Sequence, residues 1–118
     1  LILILPPVSK AVADALASGG RPVSLEELNV RIAGIGHPVF DFHDPTALGS
    51  GKSELIDGFH GGRVTHLRML QAIGRTGLGD YVDIGEIDRL IAENAGRALL
   101  KQDLRDGRRR RIFSTWDA

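Results

Sequence analysis

The chain opens on Leu1-Ile2-Leu3-Ile4-Leu5 and then stops that run with Pro6-Pro7. Strand side chains alternate between faces, so a run that is apolar at every position has no polar face to offer water. Such a run reads as a central strand of a parallel sheet, covered by helices on both sides. The prolines cannot donate to a ladder and end the strand. A covered central strand needs neighbours on each edge, and 118 residues with this pattern supply few. The expectation is a fragment: the C-terminal part of a longer protein, with residues 1–118 belonging to one α/β domain.

Ser9 can cap a helix over 10–18, with Val12, Ala15 and Leu16 on one face, and Gly19-Gly20 stop it. Ser24 with Glu27 is a capping box for a second helical stretch to about Ala33, carrying Leu25, Leu28 and Ile32 on its apolar side. Val39-Phe40-Asp41-Phe42 then reads as a second strand, with Asp41 and His43 on one face and Phe40 and Phe42 on the other. Strand, helical crossover, strand is the logic of a parallel sheet. Residues 44–53 are a loop by composition, placed after the C-terminal end of a strand, where open α/β sheets keep their sites.

Directly after that loop comes Ile56-Asp57-Gly58-Phe59-His60-Gly61-Gly62. A carboxylate and an imidazole three residues apart can share one hydrogen bond, which fixes the imidazole tautomer and stabilises its protonated form. The same pair can also serve as a polar turn that caps the helix after it. That helix, over 64–73, has Val64, Leu67, Leu70 and Ile73 at the helical period. Gly74, Gly77 and Gly79 make a flexible connection. Asp83 with Glu86 then opens a last helix through roughly Lys101, with Ile84, Ile87, Ile91, Ala95 and Ala98 as its stripe. The tail over 105–113 is basic.

Several chemistries are set aside by the residues themselves. There is no Cys, which excludes disulfides, thiolate zinc sites and a cysteine nucleophile. Lys plus Arg equals Asp plus Glu, at 15 each, so no net field points to nucleic acid or an anionic membrane. No stretch reaches the length of a membrane span. The opening run is too short for a signal h-region and has no basic residues before it. Gly49-Ser50-Gly51-Lys52-Ser53 lacks the earlier glycine of a phosphate loop, since position 46 is Thr, and reads as a mobile loop. Asp41-Phe42-His43 has the spacing of a metal-ligand pair, but one pair is a thin basis for a site. The run Arg108-Arg109-Arg110-Arg111 reads as a solvated terminal stretch, with only Phe113 and Trp116 as nearby aromatics. His37 and His66 have no partner in the pattern, and His66 reads as structural.

The order of these signals over residues 1–75 resembles the C-terminal half of an SGNH (GDSL-type) hydrolase. The elements that carry it are the apolar strand into Pro-Pro-Val-Ser, the crossover, Pro-Val-Phe-Asp-Phe, the Gly/Ser loop, and Asp57-Gly58-Phe59-His60 before a helix. The closest style is the extracytoplasmic branch with the DltD-like and alginate-acetylation-like proteins. The resemblance implies a partial three-layer, flavodoxin-like parallel sheet, with 1–75 as core segment and 76–118 as C-terminal helical extension and tail. It implies His60 as general base for a serine hydroxyl and Asp57 as its orienting carboxylate, with no cofactor and no metal. The implied chemistry is ester hydrolysis or O-acyl (acetyl) transfer on a small-molecule, polysaccharide or cell-envelope ester. The implied location is periplasmic or otherwise extracytoplasmic, although no residue here argues against the cytoplasm.

The family's Gly-Asp-Ser block and its oxyanion-hole Gly and Asn are not in this chain. Ser9, Ser24, Ser50, Ser53 and Ser114 all lack that context. The nucleophile is therefore expected outside it, in the rest of the α/β domain upstream or on another chain. Two other readings compete. One is a non-catalytic scaffold that kept the fold. The other is a metal-dependent hydrolase built from Asp41, His43, Asp57 and His60.

Overall fold

A computed structural model describes residues 1–19 and 25–101. The basic tail and the Ser24 cap lie outside the described residues. The described chain is mixed α/β, with a two-stranded parallel sheet and four α-helices. Strand β1 (Leu3–Leu5) pairs with β2 (Val39–Asp41) in the register Leu3 to Val39, Ile4 to Phe40 and Leu5 to Asp41. Helices α1 (Lys10–Ser18) and α2 (Leu25–Ala33) make up the crossover between the strands. The Ser9 side chain accepts from the Val12 amide as expected of the cap.

Helix α3 (Arg63–Ile73) is the centre of the packing because it has two apolar stripes. Val64 and Leu67 face α4 (Ile84–Asn94) and close a cluster with Val82, Ile87, Leu90, Ile91 and Leu100. Met69 and Ile73 face the other way, onto Phe42, with Phe40 and Leu48 at the margin. Phe40 and Phe42 stack with centroids 6.0 Å apart. Strand alternation then puts Asp41 on the opposite face, where Asn29 of α2 donates to its Oδ2 at 2.9 Å. The Asn29 contact from α2 and the Phe40 contact with α3 are thus on opposite faces of β2.

The expectation of a fully covered first strand needs correction. Ile2 and Ile4 are 42% and 45% exposed, and the strand begins only at Leu3. Ile4 shares its face with Phe40, yet only Phe40 joins the α3 cluster and Ile4 stays outside it. Helix α4 also ends earlier than the stripe suggested. Ala95 leaves the helix with an extended ψ of 138°, and Gly96 follows at a φ of +76°, so Ala95 and Ala98 lie beyond it. Asn94 seals that end: its Nδ2 donates to the Leu90 carbonyl and its Oδ1 accepts from the Lys101 amide, both at 2.8 Å. The glycine-rich connection after α3 continues the helix briefly, kinks at Thr76 and at Gly77, whose φ is +103°, and makes a 3-10 turn over Gly79–Tyr81.

The entry to α3 is fixed by Gly62. Its amide donates to the Glu54 carbonyl at 2.7 Å, and the next amide, of Arg63, donates to the Ala98 carbonyl at 2.6 Å. A Cβ at position 62 would lie 2.5 Å from the Glu54 carbonyl oxygen and closer still to that of Ala98. Both obstacles are backbone and cannot rotate away. Gly62→Ala should therefore destabilise the chain by about 2–3 kcal/mol, the upper part of the overpacking range, measurable as a shift in urea midpoint at unchanged slope.

Candidate functional site

Asp57 and His60 lie on a closed loop whose ends are held together. The Ile56 amide donates to the His60 carbonyl at 2.9 Å, Leu55 bridges Gly61, and Gly58 turns at a φ of +74°. The loop docks on the chain just after β1, where Val8 bridges His60 and the Ser9 amide donates to the Phe59 carbonyl at 3.2 Å. Val8 also donates to the His43 carbonyl, beyond the end of β2. The pair therefore sits at the C-terminal end of both parallel strands, the position expected of a site in an open α/β sheet.

The two oxygens of Asp57 divide the work. Oδ1 accepts from the amides of Phe59 (2.9 Å) and His60 (2.7 Å) and so makes the turn. Oδ2 meets His60 Nδ1 at 2.7 Å. The His60 amide, then its imidazole, then the Phe59 amide hold the Asp57 carboxyl far below the usual carboxylate range. An ionised carboxylate only accepts, so the imidazole presents Nδ1–H to it and turns a free Nε2 lone pair outward. The His60 side chain is 68% exposed, and the Phe59 ring tilts against it with centroids 4.5 Å apart. The turn reading and the dyad reading are thus both realised, by one side chain.

No serine or threonine hydroxyl among the described residues is hydrogen-bonded to His60. Ser9 touches the loop through its amide, but its hydroxyl caps α1 and the residue is buried. Ser50 is also buried and faces Glu54 and Thr65, at 2.8 Å and 3.2 Å. His66 is exposed, with Nδ1 2.8 Å from the Gly62 carbonyl, a structural placement. His37 is exposed.

Asp41 and His43 do form a pair, with Nδ1 to Oδ1 at 3.1 Å and the His43 amide on the same oxygen at 3.0 Å. The Asn29 amide that holds Asp41 leaves its own Oδ1 buried with no partner. Among the described residues no three His, Asp or Glu side chains converge to hold a metal ion. The structure does not gather Asp41, His43, Asp57 and His60 into one ligand set. No described helix is long and apolar enough to cross a membrane.

The residue that sequence reading missed is Glu54. The expected mobile loop over 49–53 is instead anchored by it. Its side chain is 2% exposed, and Arg68 clamps it through Nε and a terminal nitrogen, each at 3.0 Å. Ser50 Oγ and the Gly96 amide complete the set at 2.8 Å each. Burial alone would raise the Glu54 carboxyl, but Arg68, the Gly96 amide and the Ser50 hydroxyl together bring it below its ordinary value.

A folded-state value below the unfolded one adds stability that is fully present above the unfolded value. As pH falls, the unfolded chain gains the proton first, and the gain is lost through the folded value. Urea unfolding followed from neutral pH to below about pH 4 should therefore show a stability loss that Glu54→Gln removes, because the amide has no proton to exchange.

No protein-family model matches this chain, and no curated protein or solved structure matches it either.

Proposed function

We propose that Asp57 and His60 are the base half of a Ser-His-Asp triad in a serine esterase or O-acyl transferase acting on carbohydrate or cell-envelope esters, with the serine outside this chain. One observation carries the reading. An ionised carboxylate 2.7 Å from Nδ1 leaves the opposite nitrogen as a free acceptor at the strand ends. In this scheme the serine oxygen attacks the acyl carbonyl as His60 Nε2 takes its proton. His60 then returns that proton to the leaving alcohol, and Asp57 stabilises the imidazolium between the two steps. The unit is read as part of a three-layer, flavodoxin-like SGNH domain, supported by the parallel strands, their helical crossover and the dyad's place beyond them. The extracytoplasmic location belongs to the same proposal and rests on the resemblance alone.

The observation favouring a non-catalytic scaffold is that no described hydroxyl reaches His60. Turnover of p-nitrophenyl acetate by the full-length protein separates the two, with wild type beside His60→Ala and Asp57→Asn. A large loss in both variants supports the triad. Equal inactivity of three folded proteins supports the scaffold, and equal activity removes the Asp57/His60 assignment.

A further inference from the structure

The second imidazole–carboxylate pair has an environment unlike the first. The His43 side chain is 22% exposed, where that of His60 is open to solvent. Asp41 takes Nδ1, and Asn29 takes the other Asp41 oxygen, so a chain of contacts from α2 fixes the ring. Nε2 has no partner among the described residues. His43 lines a pocket of about 340 Å³ between the start of α1 and the turn after β2. Lys10, Asp14, Asp44 and Thr46 supply its polar wall, and Val8 and Pro45 its apolar one. The volume falls within the range of small-molecule sites.

We propose that this pocket binds a neutral, polyhydroxylated small molecule, with His43 Nε2 and the Asp44 carboxylate accepting its hydroxyl protons and Lys10 donating to its oxygens.

The charges weigh against an anion, and the mix of donors and acceptors favours hydroxyls. Thr46 donates to Asp44 Oδ1 through its hydroxyl (2.6 Å) and its amide (2.9 Å), which keeps the carboxyl ionised, hydroxyl first and amide second. The Ala47 amide adds a smaller contribution to the same carboxyl. Lys10 is paired with Asp14 at 2.8 Å and lies close enough to Asp44 to feel its charge. A phosphate or carboxylate would meet Lys10 but be repelled by two carboxylates. A cation would meet Asp44 and Asp14 but find Asp14 already paired with Lys10 at 2.8 Å, and the methylammonium arm of the test below separates it from a neutral ligand. Neighbouring hydroxyls suit all three groups, since each accepts from Lys10 and donates to His43 or Asp44. Val8 and Pro45 offer the apolar surface that the C–H edge of such a molecule buries. The pocket meets the Asp57/His60 loop only through Val8, so binding does not depend on proton transfer at His60.

The test is an amide NMR titration of the full chain with methyl β-D-glucopyranoside, and in parallel with inorganic phosphate and methylammonium. The expected result is saturable movement of the Lys10, His43, Asp44 and Thr46 amides with the glycoside alone. Lys10→Ala and His43→Gln should each weaken it about tenfold, a lost hydrogen bond to a charged or oriented group. Lys10 is on the surface, so its variant stays folded, and Arg89→Ala, outside the pocket, should bind as wild type. No saturable movement at those amides overturns the proposal. So does movement with phosphate or methylammonium in place of the glycoside, or affinity unchanged in Lys10→Ala.

Discussion

On the proposed triad, His60→Ala is expected to lower kcat/KM for p-nitrophenyl acetate about 10³-fold or more. The loss would follow from the role proposed for Nε2: without it the serine proton would have no acceptor at the moment the carbonyl is attacked. Asp57→Asn is the more informative partner. The amide oxygen can still accept from the Phe59 and His60 amides, which preserves the turn. Its NH2 then faces Nδ1, where it must donate, so the ring moves its proton to Nε2 and can no longer act as a base. A loss of at least about 10²-fold is expected, with the loop intact. Alanine at 57 would remove the turn and the tautomer together and so could not separate them. Comparing the His60 amide resonance in the Asn and Ala variants checks that the turn, not just the rate, behaves as stated.

Arg68→Met costs about 3–5 kcal/mol of folding stability, the penalty for stranding one partner of a buried ion pair. Glu54 is almost wholly enclosed, while Arg68 keeps 17% of its side chain exposed. The stranded group is therefore the worse one to strand. The Ser50 hydroxyl and Gly96 amide stay on the carboxylate but cannot supply a counter-charge. Adding Glu54→Leu to Arg68→Met should recover only part of the loss. The charge is gone, but the Gly96 amide then lacks its acceptor, at about 1–3 kcal/mol, while the Ser50 hydroxyl can still donate to Thr65 Oγ1 at 3.2 Å. Urea unfolding of the two single variants and the double measures the coupling directly.

Local signals were legible in the sequence and distant ones were not. Ser9 before α1 and Asp83 before α4 each cap through bonds that span three residues, which is what the capping pattern encodes. The parallel pairing of β1 and β2 followed from the crossover logic. The Asp57/His60 contact was readable for the same reason, since the loop that makes it spans four residues. Glu54 was not readable. It sits among glycines and serines like any solvated acid, and its partners lie 14 and 42 positions away. The one trace is Arg68, four residues after the buried Val64 and so on the inner side of α3. Leu90 was missed because the Ile87–Ile91 stripe already filled one face. The exposed Ile2 and Ile4 went against expectation because alternation reports what a strand can bury, not whether a neighbour is there to bury it.

Both apolar clusters are drawn from residues 40 and beyond, and among the described side chains none of their members belongs to β1, α1 or α2. Local opening is cheapest where few apolar contacts must break, so two cooperative units of unequal strength are expected. In amide hydrogen exchange, α3 and α4 should be the slow unit and β1 with its crossover the fast one. The dyad loop lies along the seam. Leu55, Gly61 and Gly62 tie it to the slow unit, while Val8 and Ser9 belong to the fast one. When the fast unit opens, the loop keeps its own turn and loses only the wall beside it. His60 can then be exposed to a large partner without being dismantled.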